Sequence, residues 1–92
     1  MNIPKYVEIG NSKYKVVEED LKEESLGYTC LNDGVISVNK KLNEPRKKET
    51  LFHEMIEAIN FEYDLHLKHH TICLLHLALY SLIERNKRMF TS

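Results

Sequence analysis

Glu49-Thr50-Leu51-Phe52-His53-Glu54-Met55-Ile56-Glu57-Ala58-Ile59-Asn60 is the stretch on which the fold turns. Leu51, Met55, Ala58 and Ile59 recur at three- and four-residue spacing, and Phe52, Ile56 and Tyr63 form a second such row. That period belongs to an amphipathic helix. Asn43 stands where a capping side chain is needed, and Glu44 and Pro45 fill the first turn, where proline's missing N–H costs nothing. The pattern predicts a helix over about 44–62. Tyr63-Asp64-Leu65-His66-Leu67 is its connector to a second helix over about 68–88, which is apolar on most of its circumference. Such a helix is central to a core or shared with a partner subunit. Arg85, Lys87 and Arg88 suit its C-terminal end.

Upstream the period changes to two. Tyr6-Val7-Glu8-Ile9, a turn at Gly10-Asn11-Ser12, and Lys13-Tyr14-Lys15-Val16-Val17 read as a hairpin. Gly27-Tyr28-Thr29-Cys30-Leu31 and Val35-Ile36-Ser37-Val38 flank Asn32-Asp33-Gly34, a strong signal for a second one. The acidic segment 18–26 reads as a loop or a short helical turn. The expectation is a single α+β domain over residues 1–92: an antiparallel sheet of two hairpins at about 5–38, followed by two packed helices.

Composition bounds the function. The chain has 92 residues and room for one modest core. Thirteen basic and 14 acidic side chains give a net charge of −1, with no footprint for nucleic acid or an anionic membrane. The apolar run Thr71 to Ile83 is broken by His76 and too short to span a bilayer. Residues Met1 to Lys5 do not start a signal peptide. Cys30 and Cys73 make no disulfide framework, so a reducing cytoplasm is expected. There is no phosphate-binding glycine loop, no Gly-x-Ser-x-Gly elbow and no zinc-finger cysteine spacing.

The chemistry sits in the first helix. All five histidines fall between residues 53 and 76. His53-Glu54-Met55-Ile56-Glu57 is a variant of His-Glu-x-x-His, the zinc-metallopeptidase helix signature, with Glu57 in place of the second His. Positions i and i+4 share a helix face, so His53 and Glu57 can grip one ion. Glu54 is rotated by about 100° from His53 and stands where a general base would reach a water. A third ligand must come from outside the helix, and His66, His69, His70 and His76 are available. His76 lies in an apolar helix and reads as a core or interface histidine. Cys73 either faces the same site or fills space as a small apolar residue. Tyr80 reads as packing.

Residues 49–60 resemble small phage- and prophage-encoded zincin-like proteins, distant relatives of the ImmA/IrrE metallopeptidases and of minimal gluzincins. The resemblance extends to the two hairpins and to His70-Thr71-Ile72-Cys73-Leu74-Leu75-His76-Leu77-Ala78-Leu79-Tyr80. Members commonly carry a Glu at the start of the helix after the motif. The resemblance places His70 at that Glu, as it places Glu57 at the second His. A His₂Glu set of His53, Glu57 and His70 is thereby kept, with ligand types exchanged between helices. His69 and His66 replace His70 if the helix phase differs. The resemblance implies a zinc-dependent peptidase with Glu54 as catalytic base. An edge strand, taken as Val35–Val38, would hold a peptide or protein substrate by backbone hydrogen bonds. The alternative is a non-catalytic, phage-encoded adaptor on the same scaffold, with or without a structural metal. In either case the apolar second helix suits a homodimer or a protein partner.

Overall fold

The computed structural model describes residues 3–22 and 24–91. Two hairpins come first. β1 (Tyr6–Ile9) and β2 (Ser12–Glu19) pair antiparallel, with Ile9 opposite Ser12 across a two-residue loop. Gly10 opens that loop at φ 61, a left-handed conformation that glycine adopts without strain. β3 (Gly27–Cys30) and β4 (Val35–Asn39) pair antiparallel across residues 31–34, and Gly34 at φ 65 closes their turn.

The two hairpins join differently from the sequence expectation. The sheet order is β1-β2-β4-β3, and β2 runs parallel to β4, from Lys15 opposite Val35 to Glu19 opposite Asn39. The sheet is therefore mixed rather than antiparallel throughout. A parallel pair needs a crossover of a dozen or more residues, and residues 20–34, with β3 inside them, supply it. β4 consequently becomes an interior strand. Its burial pattern agrees: Ile36, Ser37, Val38 and Asn39 are all buried, on both faces. The expected edge strand at Val35–Val38 is thus corrected. β3 holds that edge.

α1 (Glu44–Glu62) lies on the sheet. Asn43 caps it by accepting from the Arg46 N–H at 2.9 Å. Lys47 ties its first turns to β2 through Glu18 at 2.6 Å. Leu51 and Ala58 enter the core with Ile9, Tyr14, Val16, Ile36 and Val38. The Tyr14 hydroxyl donates to Glu62 at 2.7 Å and locks the end of α1 onto the first hairpin.

α2 (His69–Arg85) packs back on α1. Asp64 and His66 hold left-handed backbone at φ 53 and 59, and the Asn60 side chain accepts from the Leu67 N–H at 2.9 Å. α2 ends earlier than expected. The Asn86 side chain donates to the Leu82 carbonyl at 2.8 Å, and competition of this kind breaks helices. A separate short turn, α3 (Lys87–Phe90), follows. Only Ile72 and His76 of α2 are buried, so the helix lies on α1 as an outer layer and most of its apolar side chains face outward. Among the described residues no helix is long and apolar enough to cross a membrane.

Candidate metal centre

Two i,i+4 pairs face each other across the α1–α2 contact. On α1, His53 Nε2 lies 3.6 Å from Glu57 Oε2. On α2, His69 Nε2 lies 3.5 Å from Cys73 Sγ. The pairs meet where His69 Nδ1 approaches Glu57 Oε2 at 3.4 Å. Among the described residues, His53, His69 and Cys73 each offer a donor atom within 4.8 Å of the other two, and together could hold a metal ion. Zinc bonds of about 2.0–2.3 Å at tetrahedral angles separate donors by roughly 3.3–3.7 Å; the two Glu57 contacts have that length when His69 turns Nδ1 to the ion, and the Cys73 contact has it when His69 turns Nε2. The donor types fit as well, since imidazole, thiolate and carboxylate are all zinc ligands. His69 can give an ion only one nitrogen. The other stays free to bond Glu57 or Cys73 and orient the ring.

His53, Glu57 and His69 border a cavity of about 510 Å³, lined by β3, α1 and the inner face of α2. Glu54 lines it beside His53, Glu57, His69 and His76. Glu54 as a residue is only 8% exposed. Thr29, on β3, donates to Glu54 Oε1 at 2.7 Å and fixes its orientation. Burial pushes the Glu54 carboxyl above the usual range, while the Thr29 hydrogen bond and the His53 charge oppose the rise. A raised carboxyl pKa is what a base working near neutral pH needs.

His76 forms the floor. Its ring lies 5.2 Å from that of His53 and stacks on Tyr80 at 6.0 Å. Its Nδ1 is buried, without a hydrogen-bond partner among the described residues. Burial, reinforced by His53, depresses its pKa, so the ring is neutral at physiological pH. Behind His76, Phe52 lies edge-on to Tyr80 at 5.5 Å.

The structure brings together His53, Glu54 and Glu57 as the sequence expects. It does not bring His70 to them. His70 is exposed and lies outside the cavity lining. The bracketed connector sets the phase of α2 so that His69, Cys73 and His76 form the row facing α1, with the His69 side chain at the rim and 74% exposed. His70 begins the outward row with Leu74, Leu77 and Ser81. His66 is 80% exposed and paired with Asp64 at 3.1 Å within the connector, away from the cluster.

Models of known protein families, curated proteins and solved structures give no match to this chain.

Two contributors were underread from sequence. Cys73 was legible: His69, Cys73 and His76 share one helix face, whereas the row starting at His70 is mostly leucine. Thr29 was not. It reaches Glu54 across 25 residues of chain, and no local pattern encodes that contact.

Proposed function

We propose that this protein is a zinc-dependent peptidase of phage or prophage origin, with the ion held by His53, His69 and either Glu57 or Cys73. The observation that carries the proposal is the meeting of His53, Glu57 and His69, with Cys73 beside His69, at a cavity that also contains the anchored carboxylate of Glu54. Zinc bound there supplies a Lewis acid that polarises a carbonyl and lowers the pKa of water. Glu54 accepts the proton of the attacking water and returns it to the leaving amine. Thr29 holds the carboxylate of Glu54 in one orientation, so the proton transfer starts from fixed geometry. His76, neutral and buried, gives the cavity an uncharged floor. β3 supplies the substrate track. It is a sheet edge, and Gly27, Tyr28 and Thr29 line the cavity together with Leu26 and Leu31. An extended peptide can add to that edge by main-chain hydrogen bonds.

Glu54→Gln tests the reading. The variant keeps the shape of the side chain and an acceptor for Thr29, but has no basic carboxylate. It is expected to fold, to bind zinc as the parent does, and to cleave peptides about 10²–10⁴-fold more slowly in a library screen. Equal cleavage by both proteins would refute the role of Glu54.

A second reading is a non-catalytic protein-binding module on the same scaffold. The observation favouring it is the Thr29 hydrogen bond to a nearly buried Glu54, which also gives that carboxylate a structural task. Zinc-loaded protein that cleaves no peptide in the screen selects this reading.

A further inference from the structure

The outward face of α2 carries a pattern that its inward face does not need. Leu77-Ala78 and Ser81-Leu82 read large-small, then small-large, about a midpoint between Leu79 and Tyr80. Leu77 is 61% exposed, Leu82 50% and Leu74 54%. Ala78, Ser81, Leu82, Arg85 and Asn86 line a hollow of about 370 Å³. The face therefore presents both protruding leucines and a depression floored by small side chains.

We propose that this face binds the same face of a second copy of the chain, with the two α2 helices antiparallel. The palindrome selects this occupant. When two such helices lie antiparallel about that midpoint, Leu77 meets Leu82 of the partner subunit, and Ala78 meets Ser81 of the partner subunit. Each copy then projects Leu77 and Leu74 toward the other's hollow, one turn or more from its own. Small residues at the crossing let the backbones approach, and the leucines interdigitate on either side. A two-fold interface requires self-complementarity of this kind. In this arrangement Arg85 lies over Leu74 of the partner subunit, where its aliphatic stem covers apolar surface while its charge stays in water. The antiparallel arrangement also sets each helix N-terminus beside the other's C-terminus, which the helix dipoles favour.

Charge allows the same occupant. α2 has 17 residues and is about 26 Å long, and Leu74, Leu77 and Leu82, each at least half exposed, run along this face of it. A net charge of −1 opposes self-association very little. The metal cluster lies on the opposite side of α2, so pairing leaves the cavity open.

Sedimentation equilibrium of the full chain at 5–200 µM, on the order of micromolar affinity, is expected to show a species of twice 10.9 kDa. Leu77→Glu places a charge in the seam without touching the core, and is expected to weaken dimerisation at least about 100-fold with an unchanged circular dichroism spectrum. Register is read by mixing Ala78→Cys with Ser81→Cys under mild oxidation and mapping the disulfides by mass spectrometry. Antiparallel pairing gives the mixed 78–81 link in excess of 78–78 links. A monomer at every concentration, a dimer indifferent to Leu77→Glu, or a dominant 78–78 link would each overturn the proposal.

Discussion

Replacing Thr29 with Val removes one hydroxyl and leaves a side chain of nearly the same shape. That hydroxyl is the only hydrogen-bond donor to the Glu54 carboxylate among the described residues, at 2.7 Å. Glu54 is 8% exposed as a residue, so water replaces the lost donor poorly. A hydrogen bond to a charged group contributes about 1.5–3 kcal/mol, and an unpaired buried acceptor carries its own desolvation penalty. Thr29 is half-buried at a sheet edge, which moderates the cost. Thr29→Val is therefore expected to destabilise the metal-free protein by about 2 kcal/mol at pH 7. Urea unfolding followed by circular dichroism, after chelator treatment, measures this directly. The same substitution made on Glu54→Gln should cost only about 0.5–1 kcal/mol, because a neutral amide needs the donor less. The difference between the two backgrounds is the coupling of Thr29 to the charge on Glu54. A cost below about 0.5 kcal/mol in the parent, or equal costs in both backgrounds, would refute the claim that Thr29 anchors an ionised Glu54.

Two further outcomes follow from the fold. A Cβ at Gly27 would stand 2.6 Å from the Ser37 carbonyl oxygen and 2.8 Å from Thr50 Cγ2. Gly27→Ala is therefore expected to destabilise by about 1–3 kcal/mol, through strain between β3, β4 and α1; an unchanged urea midpoint would contradict that close approach. Burial, and then Glu62, push the Tyr14 phenol up to about 12. The folded state holds this proton more tightly than the unfolded chain, whose value is near 10. Stability is thus fully present below about pH 9 and is lost as pH rises toward 12, by about 1.3 kcal/mol between pH 9 and pH 11. Urea midpoints at those two values check this, and Tyr14→Phe should flatten the decline; an equal decline in the variant would show that another group causes it.

The elements of this fold were legible because each carries a local signature. Glycines at 10 and 34 fix the hairpin turns, Asn43 caps α1 beside Pro45, and the helical period continues unbroken to Glu62. The order of strands was not legible. Whether β2 pairs with β3 or β4 depends on which pairing buries Ile36 and Val38 under α1, a contact between distant segments. The same limit governs the site. His53, Glu54 and Glu57 lie on one helix, so their relation follows from its geometry. The contribution of α2 depends on a single residue of phase. That phase is set by left-handed backbone at Asp64 and His66, and by the Asn60 side chain, none of which a hydrophobic period reveals. One residue of shift replaces His70 by His69 and brings Cys73 into the cluster.

Zinc titration of chelator-treated protein, by calorimetry, in the parent and in two adjacent variants tests the metal centre most directly. The account predicts one zinc per chain, an affinity at least about 100-fold lower in His69→Ala, and less than about a three-fold change in His70→Ala. Absence of zinc binding by the parent, or a larger loss in His70→Ala than in His69→Ala, would contradict it.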